Sequence, residues 1–202
     1  MLVEVLCETD FVSKSPAFHS LLQRVSLSSL VFNASKSTEI LDAHACAVDA
    51  EDTDVVPGES VAQSISRASN KMGENIKIGR VLSMNGVVGG YIHSSGTGGI
   101  KSLGSIAALV KLNVKGAAID HAELGKSADK IAQHVVALSP KNVEELKGQE
   151  MFLGGGESVG EYCEGVGKNA ACQIEVEEIT RMAIGEEVEG GEEVAAEDKA
   201  PL

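Results

Sequence analysis

MLVEVLCETDFVSK, residues 1–14, begins as a strand and then stops being one. Val3, Val5 and Cys7 alternate with Glu4, Leu6 and Glu8, the period-two pattern of a strand with one mainly apolar face and one mixed face. The alternation ends at Glu8. Thr9-Asp10-Phe11 then forms a short tip ahead of Ser15-Pro16, where a capping side chain and a first-turn proline open a helix. That helix carries Phe18, Leu21, Leu22, Val25 and Leu30 at helical spacing over about 16–31, and its apolar stripe is expected to face the first strand. A carboxylate beside a phenylalanine in so short a connection has two readings. Phe11 can fold back as a staple on the following helix while Asp10 or Thr9 caps a local turn. Otherwise Phe11 is a wedge for a partner's pocket and Asp10 a charge delivered beside it, since buried aromatics dominate interface energetics. Periodicity alone does not choose between them.

Further along, residues 33–58 are polar and acidic and predict a loop holding one short helix. Val61, Ile65, Ala68 and Met72 mark an amphipathic helix that Gly73 ends. Asn85-Gly86 lies between IKIGRVLSMN and VVGGYIHSS, so strands over 76–84 and 87–94 are predicted to pair as a hairpin. A glycine-rich loop leads into an apolar strand over 106–114. Ala128, Ile131, Ala132, Val135 and Leu138 then mark a helix closed by Ser139-Pro140. A short helix from Ser158 and a long strand, AACQIEVEEITRMA (170–183), complete the ordered part. Strands and helices segregate, which predicts an α+β fold.

With 202 residues and 43% apolar content, the chain suits one ordinary domain or two small ones sharing a core. No apolar run reaches the roughly 18 residues of a membrane helix, so no membrane partner is expected. The first residues carry neither the order of a secretion signal nor the Arg-rich make-up of an organelle presequence. Net charge is −13, of which residues 186–202, with seven acids and one lysine, supply −6. That tail has no apolar periodicity and is expected to be a solvated, disordered end without a role of its own. The acidic body repels phosphate backbones and shows no basic stripe with interleaved aromatics, so the expected partner is a protein rather than nucleic acid. Cys7, Cys46, Cys163 and Cys172 form no CxxC pair, which leaves packed, reduced thiols and neither a zinc knuckle nor a dithiol centre.

Three segments imitate catalytic motifs. GESVG (156–160) has the form of a nucleophile elbow around Ser158, but such hydrolases place their histidine after the serine, and all five histidines precede it. Ser158 with Glu161 instead reads as a capping box. DHAELGKS (120–127) puts Asp120 where a phosphate loop needs its leading glycine, and GVGKNA (165–170) follows Lys168 with Asn169 in place of the magnesium-binding hydroxyl. His93 and His134 read as packing or surface histidines. With no triad, metal set or phosphate cradle, the chain is expected to be a binding protein with no enzymatic chemistry, no cofactor and no metal.

VEVLCETDFVSK resembles the signature of the elongation factor Ts family: an acid, an aliphatic, usually Asn, a small residue, Gln or Glu, then Thr-Asp-Phe-Val. Leu6 replaces the usual asparagine, while Thr9-Asp10-Phe11-Val12 is intact. KMGENIKIGRV (71–81), GGYIH (89–93), KIAQHVVALSPK (130–141) and SVGEY (158–162) resemble successive family blocks, so the similarity covers most of residues 2–187. The resemblance implies a guanine nucleotide exchange factor that promotes GDP release from elongation factor Tu. In that role Phe11 wedges between helices of the partner's nucleotide domain, and Asp10 disturbs the water shell of the magnesium that holds the GDP phosphates. Met72, in place of the usual isoleucine, and Gly73 match positions that add to this contact; His93 and the 127–138 helix lie on the second half's side. The family's core implies two similar subdomains of antiparallel strands packed with helices, here 1–84 and 85–187, followed by the acidic tail at 188–202. The family's small N-terminal helical module is expected to be absent, and with it some partner contacts. The missing coiled-coil insertion and the QHVVALSP wording resemble mitochondrial members, implying the mitochondrial matrix. The rival expectations are a partner of a translation GTPase that keeps the fold but is impaired in exchange, and, remotely, a hydrolase using Ser158.

Overall fold

The computed structural model describes residues 1–34, 36–48, 54–94, 100–116 and 121–186. Its order is β1 (Leu2–Leu6), α1 (Asp10–Ser13), α2 (Pro16–Val31), α3 (Ser37–Asp42), α4 (Val61–Met72), β2 (Lys77–Leu82), β3 (Val87–His93), β4 (Ile106–Gly116), α5 (His121–Leu138), α6 (Val143–Gly148), α7 (Val159–Asn169) and β5 (Cys172–Ala183). The fold is α+β, with two antiparallel sheets, β1-β2 and β3-β4-β5, each packed against helices. The acidic segment 188–202 and part of the 33–58 loop lie outside the described residues.

Local chemistry sets most helix ends. Ser15 Oγ accepts from Phe18 N at 3.2 Å, with Pro16 in the first turn of α2. Gly73 closes α4 at φ 73°, a left-handed conformation that an L side chain resists. Around β1, Val5 packs with Phe18, Leu21 and Val25 of α2, Ile40 of α3, and Val61 and Ile65 of α4. The second core joins Ala108, Val110 and Leu112 of β4 to Ile131 and Val135 of α5, with Leu146, Val159 and Cys163 from α6 and α7. Gly89 lets β3 lie directly on α5, because a Cβ there would stand 2.3 Å from the Ala128 and Asp129 backbone. Asp129 Oδ1 secures the same contact by accepting from Gly90 N at 2.8 Å.

Several sequence expectations change, beginning with Leu30, expected on the inward stripe of α2 but 66% exposed. No hairpin forms at Asn85-Gly86: β2 pairs with β1 (Leu2 with Leu82, Leu6 with Lys77), whereas β3 pairs with β4 (Val87 with Leu112, His93 with Ile106). Gly86 does adopt positive φ, at 114°, but the turn carries the chain from one sheet to the other. A two-residue turn signal is local, and the pairing it suggests gives way to the β1-β2 and β3-β4 ladders, each of which lies against its own apolar core.

The alternation of β1 is also broken. Val3 opposes Val81 but Val5 opposes Ile78, so two residues of β2 face Glu4 and the bulge buries both Glu4 and Val5. Val3 and Cys7, expected on the buried face, are half-buried. The buried Glu4 carboxylate meets Arg80, whose Nε lies 3.0 Å from Oε2 and whose Nη2 lies 2.6 Å from Oε1. Arg80 Nη2 also donates to Ala183 O at 2.7 Å, tying the first sheet to the end of β5. Leu2, Leu109 and Met182 fill the same seam.

Candidate partner-binding site

The strand-to-helix connection is a single helical turn. Thr9 is extended (φ −127°, ψ 153°), and its hydroxyl accepts from Val12 N at 3.4 Å as the N-cap of α1. Ser13 N reaches Thr9 O at 3.1 Å, and Ser15 N reaches Val12 O at 2.9 Å, closing the turn immediately before α2. Val12 faces inward and joins the first core. Phe11 faces outward with 90% of its surface exposed, more than any other large apolar side chain among the described residues. The staple reading is therefore overturned for Phe11, although Thr9 does cap the turn as that reading held. The Asp10 side chain is 89% exposed, and its only ion pair among the described residues is Lys14 Nζ at 3.3 Å on the same turn. So solvated a pair contributes little to stability.

The end of α4 lies against this tip. Met72 is half-buried in the first core, and Gly73 turns the chain so that Glu74 reaches Thr9. Glu74 Oε2 accepts from Thr9 N at 3.0 Å and from Glu8 N at 3.2 Å, while Oε1 accepts from the Thr9 hydroxyl. Thr9 to Val12 thus share one site with Gly73 and its neighbours. Glu74 escaped the sequence reading, because nothing in the order of residues signals a bond across 65 positions. Its one available cue was its place directly after a helix-ending glycine.

Charge at the tip is acidic, from Glu8, Asp10 and Glu74. Burial raises the Cys7 thiol above its ordinary range, and the charges of Glu74 and Asp10 push it the same way, so Cys7 stays protonated. Its Sγ lies 3.5 Å from Thr9 O.

The remaining candidates lie elsewhere. His93 is exposed at the end of β3, in the other sheet. Along the 127–138 stretch of α5 the inward residues are core, and His134 is 1% exposed. Its Nδ1 accepts from Phe152 N at 3.1 Å, which places the proton on Nε2, 2.9 Å from Gln149 Oε1. Ser158 caps α7: its Oγ accepts from Glu161 N at 3.2 Å and donates to Glu161 Oε2 at 2.9 Å. Its hydroxyl is thus committed to a helix end, with no hydrogen bond to a histidine among the described residues. No described helix is long and apolar enough to cross a membrane.

Two helix-packed antiparallel sheets thus carry Thr-Asp-Phe-Val on an exposed turn. The chain belongs to the elongation factor Ts family: the profile described as "Elongation factor TS" matches residues 8–159. It is 26% identical over 198 residues to the mitochondrial elongation factor Ts of Nematostella vectensis, covering 81% of this chain and 68% of that protein. Against the elongation factor Ts of Acidothermus cellulolyticus the identity is 33% over 142 residues, 70% of this chain and 44% of the relative. Against the mitochondrial elongation factor Ts of Heterostelium pallidum it is 32% over 153 residues, 71% of this chain and 40% of the relative. The chain therefore spans less than half the length of the last two, and relatives with and without "mitochondrial" in their names match at similar identity.

Proposed function

We propose that the chain is a guanine nucleotide exchange factor for elongation factor Tu and performs no covalent chemistry. The observation that carries this reading is the outward display of Phe11 and Asp10 on a turn fixed at both ends. A phenylalanine left in water forgoes about 2–3 kcal/mol that an apolar pocket would return. A partner state that opens such a pocket is therefore favoured over one that keeps it shut. Exchange needs this kind of difference, since a ligand shifts an equilibrium only by binding its two states unequally. Asp10, carried beside the ring, brings negative charge to the water shell of the partner's magnesium, and loosening that ion weakens its hold on the GDP phosphates. Each 1.36 kcal/mol of preference is about tenfold in nucleotide release, so burying one ring supports a substantial acceleration. Thr9 and Val12 hold the tip, Met72 and Gly73 widen the contact, and His93 supplies a second contact from the other sheet.

Two subdomains, 1–84 and 85–187, fit this role, each with its own sheet and apolar cluster. The proposed compartment is the mitochondrial matrix, supported by the two relatives named as mitochondrial; imaging the tagged protein in cells tests it. The functional test is calorimetric titration into elongation factor Tu in both states. Tighter binding to the nucleotide-free form than to the GDP–magnesium form is expected. Equal affinity would leave a binding partner without exchange activity.

A further inference from the structure

Resting on the exchange reading, we infer that Glu74 is a positioning residue that presets the Thr9-Asp10-Phe11 finger for its partner. The finger cannot hold itself. α1 is four residues long, only half-buried Val12 packs on the first core, and a single helical turn is far below the length at which helices persist in water. Its downstream end has local ties: Ser15 Oγ donates to Val12 O at 2.8 Å, and His19 Nε2 lies 3.0 Å from Ser13 O. At the upstream end, the Glu8 and Thr9 amides are both satisfied by the Glu74 carboxylate, from the far side of the subdomain's sequence.

The same carboxylate sets the cap. By accepting the Thr9 hydroxyl proton it directs that oxygen's lone pairs toward Val12 N, so helix start and anchor form one chain of hydrogen bonds. Gly73 is required because its positive φ turns Glu74 back toward the finger. A preset wedge loses less freedom on docking than a loose one, so Glu74 acts on exchange without touching the partner's nucleotide site.

Glu74→Gln keeps the size but removes the charge and leaves one acceptor oxygen where the carboxylate has two, so the two amides and the Thr9 hydroxyl can no longer all donate to it, and Thr9→Val removes the hydroxyl link at constant shape. Amide hydrogen exchange of the isolated chain is the first readout. In Glu74→Gln the Glu8, Thr9 and Val12 amides should exchange about tenfold faster while amides within α2 and β2 stay unchanged. Thr9→Val should reproduce the change at Val12. GDP release from elongation factor Tu is the second readout. Glu74→Gln should slow it about tenfold in the unmodified background and not at all in Asp10→Ala/Phe11→Ala, because a finger without its tip has nothing to position. Unchanged finger amides, or losses that add in full, would overturn the inference. If the unmodified chain fails to accelerate GDP release, the exchange reading falls, and the amide measurement still decides whether Glu74 holds the finger.

Discussion

Glu4 and Arg80, 76 positions apart, form a two-point ion pair at a bulge in the two-stranded sheet, and Arg80 carries the connection on to the Ala183 carbonyl of β5. The Glu4 side chain is 7% exposed and that of Arg80 26%. Burial by itself would raise the Glu4 carboxyl, but hydrogen bonds from the Arg80 guanidinium and backbone amide, together with its charge, hold the group below the ordinary glutamate range. A depressed folded-state pKa stabilises above the unfolded value, and that stabilisation is lost as pH falls through the folded value. Urea midpoints should therefore be flat near neutrality and drop below about pH 4. Glu4→Gln should shrink the acid-side slope. Arg80→Ala should cost about 2–4 kcal/mol at pH 7, because it strands a buried carboxylate.

Gly79 and Gly89 give a paired test of the packing. A Cβ on Gly79 would fall 2.4 Å from Glu4 Oε2, and one on Gly89 2.3 Å from the α5 backbone. Arg80 pins the Glu4 carboxylate, so Gly79→Ala should cost about 1–3 kcal/mol by forcing the pair apart. That cost should largely vanish in Glu4→Ala. Gly89→Ala meets main chain that cannot swing aside and should cost about 3 kcal/mol or more, with no such rescue. Thermal denaturation of the four variants measures both.

Ser158 separates a helix cap from a nucleophile. Ser158→Ala should lower stability by about 1 kcal/mol, the usual cost of losing a serine N-cap. GDP release, and any trace of ester hydrolysis, should be the same as in the parent chain. Hydrolysis that disappears with this hydroxyl would count against the cap-only role.

Cys163 should be the slowest thiol to react. Burial pushes it up to about 11, with Lys147 pulling slightly the other way. Little thiolate therefore exists at pH 8 in the folded chain. Alkylation followed by mass spectrometry should label half-buried Cys46 and Cys172 well before Cys163, and the order should collapse in denaturant.

Features set by neighbouring residues were legible in the sequence. Ser15-Pro16, Met72-Gly73 and Ser158 with Glu161 each satisfy or end a helix within a few positions, so type and spacing are enough to place them. β4, α5 and β5 were legible through apolar periodicity, although α6, a six-residue helix, was too short to give one. What escaped depends on distant partners. The β2-β3 hairpin failed because β1 and β4 take those strand edges, and the β1 bulge because Glu4 is drawn inward by Arg80. Thr-Asp-Phe-Val was visible as a motif, but the carboxylate of Glu74 that holds it was not.

Phe11 and Asp10 are proposed to act on a partner rather than on this chain's own stability. Fluorescent GDP release from elongation factor Tu, followed with the parent chain and with Asp10→Ala/Phe11→Ala, tests it most directly. The parent chain should accelerate release, and the variant should lose about a hundredfold of that acceleration. The melting temperature should barely move, since both side chains are solvated. Equal acceleration by the two proteins, or a variant that loses activity only because it unfolds, would contradict it.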